Sequence, residues 1–118
     1  MCPIKPLEID TRREGTATVV TLAGHISTME SQVVGEAFDR LIADGCTSIA
    51  VDMSRVEIIT SDGLGVLIRA RKAVGDHGGK FVLSGLTGNI RDVFKMTRLD
   101  KIFTLYESVD AAAASLCT

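Results

Sequence analysis

The feature that most constrains this chain is the order of its periodic segments: strand-like and helix-like runs alternate through most of its 118 residues. The two are separable by spacing, because side chains on a strand repeat every two residues and those on a helix every 3.6. Leu7-Glu8-Ile9-Asp10-Thr11-Arg12 alternates apolar and polar residues, as a half-buried strand does. Glu14-Gly15 makes a tight turn, and Ala17-Thr18-Val19-Val20-Thr21-Leu22-Ala23 returns as the second strand of a hairpin. Gly24-His25-Ile26-Ser27 is expected to break that strand.

Ser27 or Thr28 can cap a first helix to about Ala43, with Val33, Val34, Ala37, Phe38, Leu41 and Ile42 favouring one side. Asp44-Gly45 stops it, a glycine just past a helix end. A third strand is expected over 48–53, then a helix with apolar residues at 63, 66, 67, 70, 73 and 74. Asp76-His77-Gly78-Gly79 ends that helix. Lys80 to Ser84 reads as a strand, Thr87 to Met96 as a short helix and Ile102 to Tyr106 as a fifth strand. Ser108 or Asp110 then caps a last helix through Leu116. Helices that join successive strands demand parallel pairing and pack on the sheet. The prediction is an α/β fold with a mixed, mainly parallel sheet of about five strands. It forms a single domain over 1–118, with its core at about 7–116.

Composition narrows the function classes. A net charge of −2, with no basic tail, argues against a nucleic-acid partner. Arg69, Arg71 and Lys72 read as a solvated helix face. Aromatic content of 4%, with no Trp, requires a largely aliphatic core. Cys2, Cys46 and Cys117 are odd in number and widely spaced, which suits neither a disulfide framework nor a zinc site. The expected location is the reducing cytoplasm. No run approaches a membrane span, and Met1-Cys2-Pro3-Ile4-Lys5-Pro6 lacks an apolar signal core, so no direct membrane insertion is expected. His25 and His77 sit beside glycines in expected loops, with no partner to make a metal or catalytic site. Gly-x-Ser-x-Gly is absent, and so is the Lys-Ser/Thr that would complete a P-loop. Neither an enzyme nor a cofactor or metal site is expected, and no feature assigns an oligomeric state.

The informative turn is Thr60-Ser61-Asp62-Gly63-Leu64-Gly65, between the third strand and the second helix. It puts hydroxyls and a carboxylate at a helix start, where free N–H groups favour anions. Ser61 can cap the helix or receive a phosphate there. Asp62, one residue in, suits the helix dipole. Gly63 and Gly65 permit close backbone approach, by a partner or by the packed strand. Leu64 with Ile58 and Ile59 could leave apolar surface beside the serine, although core burial suits Ile58 better.

This turn resembles the D-S-S/T-G-L-G signature of STAS domains, specifically the bacterial anti-sigma factor antagonists. Other segments agree in order: Val20-Thr21-Leu22-Ala23-Gly24, Val51-Asp52-Met53-Ser54, Gly78-Gly79-Lys80-Phe81-Val82-Leu83, and Val93 through Phe103. The resemblance covers about residues 7–116. It implies a non-enzymic binding module whose phosphoacceptor is Ser61. Its partners would be an anti-sigma factor that is also a serine kinase, and a phosphatase. The unphosphorylated form would bind the anti-sigma factor and release a sigma factor, and phosphorylation would break that binding. The expected docking residues are Thr60, Ser61, Asp62, Gly63, Leu64 and Gly65, with His25 and Ser27 nearby. Three positions depart from the family pattern: Thr60 and Ser27 stand where aspartates are usual, and Asp62 replaces a Ser or Thr. Two other readings of the same fold are an accessory subunit that binds the ATPase of an ABC-type lipid transport complex, and a ligand-sensing domain.

Overall fold

The computed structural model describes residues 7–116; the Met1–Pro6 lead-in, Cys2 and Cys117 lie outside them. The elements run β1 (Glu8–Glu14), β2 (Ala17–Ile26), α1 (Thr28–Ala43), β3 (Ser48–Ile59), α2 (Ser61–Asp76), β4 (Lys80–Ser84), α3 (Gly88–Met96), a 3-10 turn (Leu99–Lys101), β5 (Thr104–Tyr106) and α4 (Val109–Leu116). One sheet holds the five strands in the order β1-β2-β3-β4-β5. β1 pairs antiparallel with β2, and every later pair is parallel. The expected fold class and sheet are therefore present.

Alternation along the strands divides the core into two layers. Val20, Leu22, Ile49, Val51, Met53, Phe81 and Leu83 face α1, α2 and α3, packing against Val34, Phe38, Leu67, Ile90 and Phe94. All four phenylalanines join this layer through ring contacts, Phe38 to Phe81 to Phe103 to Phe94. On the opposite face α4 contributes Ala112, Ala113 and Leu116 against Ala17, Val19, Ala50 and Val82. Because strand order follows chain order, all three crossover helices lie on one face. The sheet thus lacks the switch-point crevice where doubly wound proteins bind their ligands.

Several boundaries differ from the sequence expectation, each for a local reason. β3 continues to Ile59, well beyond residue 53, because it carries two bulges. Their extra residues fall between the pairs Thr21↔Asp52 and Ala23↔Arg55, and between Gly24↔Val56 and His25↔Ile58. Each bulge adds a residue to one strand and shifts its side-chain phase. The inward positions are consequently Met53, Val56 and Ile59, three apart instead of two. Gly24 does not break β2; with φ at 90° it sits at the second register shift, and the strand runs on to Ile26. β5 starts only at Thr104, because Ile102 and Phe103 donate their N–H groups to Leu99 O and remain in the preceding turn. On α1, Val34 and Phe38 are buried as expected, but Val33 is half exposed. At α4, Ser108 is the cap: its Oγ accepts from Ala111 N at 3.1 Å.

Candidate functional site

The parallel strands deliver the starts of α1 and α2 side by side at one end of the sheet. Thr60 fixes the entry to α2. Its N–H donates to Ile26 O at 3.0 Å and its hydroxyl donates to the same oxygen at 3.3 Å, tying the end of β3 to the end of β2. Gly63 completes the close packing. A Cβ there would stand 2.7 Å from Ile59 Cγ1 and 2.9 Å from Ile26 Cγ2, inside any tolerable contact.

Thr60, and not Ser61, occupies the N-cap position, and its side chain makes no cap bond. The structural-cap reading of Ser61 is therefore corrected. Ser61 is the first residue of α2, exposed, and its hydroxyl bonds to no other described residue. α2 runs from Ser61, as the turn's polar residues indicate, in spite of the helix cost of Gly63 and Gly65.

Asp62 is tied across the two helix starts: Thr28 Oγ1, on the first residue of α1, donates to Asp62 Oδ2 at 2.7 Å. Nothing local in the sequence indicates this pairing, because the residues are 34 apart. Ser27 is the N-cap residue of α1, half-buried and without a side-chain cap bond. Two adjacent helix ends thus lack side-chain caps, although both carry residues able to cap. Such ends favour negative charge, which Glu30 supplies in the first turn of α1 and Asp62 in that of α2.

The remaining expected docking residues divide. Leu64 is only 8% exposed and belongs to the core, as does Ile59, whereas Ile58 is 49% exposed. The phase shift at the second bulge reverses the expected placing of Ile58. Gly63 is buried too, so Gly63 and Leu64 hold the turn mainly from within. Gly65 is half-buried, and a Cβ there would meet nothing within 4 Å. His25 is a strand residue, not a loop residue. Its register partner is Ile58, and its Nε2 lies 3.4 Å from Glu57 Oε2. His77 closes the far end of α2, with Nδ1 2.8 Å from Ala73 O. Sequence reasoning did not single out Met29, 79% exposed in the first turn of α1; its uninterrupted exposure is a tertiary outcome.

Among the described residues no group of three or more His, Cys, Asp or Glu could hold a metal ion. Nor is any described helix long and apolar enough to cross a membrane.

Comparisons with known proteins return the same fold. The profile described as STAS domain matches residues 8–112, and this chain belongs to that family. A putative anti-sigma factor antagonist of Thermotoga maritima is 32% identical over 75 residues, 64% of this chain and 66% of that protein. The matched region thus spans just under two-thirds of that relative. The crystal structure of an anti-sigma factor antagonist from Mycobacterium paratuberculosis superposes with a TM-score of 0.86 at 24% identity, covering 94% of each chain. The Bacillus cell fate determinant SpoIIAA in its phosphorylated form has a TM-score of 0.71 at 16% identity, over 93% of this chain and 99% of that one. SpoIIAA in its unphosphorylated form also gives 0.71, at 15% identity, over 93% of this chain and 96% of that one.

Proposed function

We propose that this protein is an anti-sigma factor antagonist: a binding module, with no catalytic step of its own, switched by phosphorylation of Ser61. In its unmodified form it binds an anti-sigma factor that is also its serine kinase, and a sigma factor is released. A phosphate on Ser61 breaks the complex, and a phosphatase restores it. The observation that carries this reading is the position of Ser61, exposed on the first residue of α2 with its hydroxyl unused. A kinase can reach such a hydroxyl without opening the fold. The phosphate would add about −1.5 to −2 charge at a helix end that accommodates anions. The modification therefore acts on the surface field and leaves the packing alone. Ser61, Asp62, Thr60 and Ser27 form the polar centre of the docking face, and Met29 and Gly65 border it; the family resemblance and the relatives' names support the choice of partner.

The test combines the protein with the purified kinase and ATP, reading intact mass and complex formation together. Wild type should gain one phosphate and lose binding, while Ser61→Ala should gain none and bind with or without ATP. Ser61→Asp should weaken binding at least tenfold, with stability changed by less than about 0.5 kcal/mol, as for other exposed substitutions. Unphosphorylated wild type together with ATP-indifferent binding would remove the switch; a large stability loss in Ser61→Asp would make the serine structural.

A further inference from the structure

Asp62 has a more particular task than satisfying a helix dipole. It stands next to Ser61, is exposed, and is held by the Thr28 hydroxyl at 2.7 Å. That bond spans two helices, and the starts of both lack side-chain caps. The carboxylate therefore already occupies the region that would attract a phosphate on the neighbouring residue. We propose that Asp62, held across two helix ends by Thr28, is a positioning residue that sets how much negative charge a phosphate on Ser61 carries near neutral pH. The inference rests on the reading of Ser61 as phosphoacceptor.

The sign follows from electrostatics. A like charge disfavours the second ionisation of a phosphate, whose ordinary midpoint is about pH 6. A carboxylate about 6 Å away in a water-like dielectric raises that midpoint by about 0.5 pH unit. At pH 7 the dianionic fraction would then fall from about nine-tenths to about three-quarters. Thr28 matters because a carboxylate released from its hydroxyl donor can swing into solvent, where its influence weakens. Other ionisable groups at this end of the sheet include Glu30 in the first turn of α1, the pair formed by His25 on β2 and Glu57 on β3, and Arg55, which is paired to Glu8.

Phosphoserine can be placed at residue 61 during synthesis by an expanded genetic code, and its ionisation followed by phosphorus NMR from pH 4.5 to 8.5. The series is wild type, Asp62→Asn, Thr28→Val, and each again with His25→Gln. Asp62→Asn should lower the midpoint by about 0.5 pH unit. Thr28→Val should lie between that value and wild type. Circular dichroism checks each fold, and Asp62→Ser replaces Asp62→Asn if the latter is misfolded. A midpoint equal in wild type and the Asp62 variant overturns the proposal. One that moves with Asp62 but not with Thr28 overturns the positioning by Thr28. The phosphate is installed without a kinase, so this titration is independent of the ATP experiment, where failure of the Ser61 reading itself would appear.

Discussion

The two ends of the parallel sheet are finished in opposite ways. At the amino ends of β3 and β4 the preceding helices close tightly. Asp44, Gly45 and Cys46 donate backbone N–H groups to Arg40, Ile42 and Leu41 after α1. His77 and Gly79 both donate to Val74 O, and Gly78 donates to Gly75 O, after α2. Gly45 and Gly78 adopt φ of 89° and 76°, the left-handed conformation that terminates helices. At the carboxyl ends, α1, α2 and α3 all start without a side-chain cap bond. The closed end satisfies its backbone polar groups within the fold, whereas the open end ties Thr60 and Thr28 into it and leaves the Ser61 hydroxyl unused. Ser61 lies at the open end, whereas the cap of α4 is complete. The chain can build caps, and the crossover helices go without.

The strongest challenge to this contrast is Gly79→Ala at the closed end, where a Cβ would be forced onto the carbonyl of Thr47. Backbone must move to admit it, and a loss of about 3 kcal/mol in urea unfolding is expected; a loss below about 1 kcal/mol would mean that the closed end is looser than described. Next comes a pair within α2. Gly63→Ala should lose about 1–2 kcal/mol, overpacking against Ile26 and Ile59 outweighing the gain in helix propensity. Gly65→Ala, facing open space, should instead gain about 0.5–1 kcal/mol, and thermal melts of both variants would show the opposite signs. A final pair, differing by about 1 kcal/mol or less, compares two serine caps. Ser108→Ala removes a cap bond and should cost about 1 kcal/mol, while Ser27→Ala removes none and should stay within about 0.5 kcal/mol. Equal costs would erase the distinction between used and unused caps.

The order of elements was legible because strands and crossover helices have different periods, and that order dictates a mainly parallel sheet. What stayed hidden depends on contacts distant in sequence. The spacing Met53, Val56, Ile59 breaks the alternation of a simple strand, so the far half of β3 was invisible without the two bulges it carries opposite β2. The start of α2 at Ser61 was legible from the polar residues before the apolar periodicity; which side chains crowd Gly63, those of Ile26 and Ile59, was not. At the site, Ser61 could be found from its place before a helix and from the family signature. The inward direction of Leu64 follows from tertiary packing, and Asp62's partner from the juxtaposition of two helix starts, which no local pattern encodes.

The agreement between strand order and chain order also bears on how the molecule is made. Each strand joins the one synthesised just before it, so the loops to be closed stay short and the sheet can grow from one edge as the chain lengthens. α4 alone returns against earlier strands, laying Ala112, Ala113 and Leu116 on Ala17, Val19, Ala50 and Val82. Until it arrives, the sheet's second face is an uncovered apolar surface. α4 covers that surface on the face opposite the three crossover helices, one of which begins with Ser61.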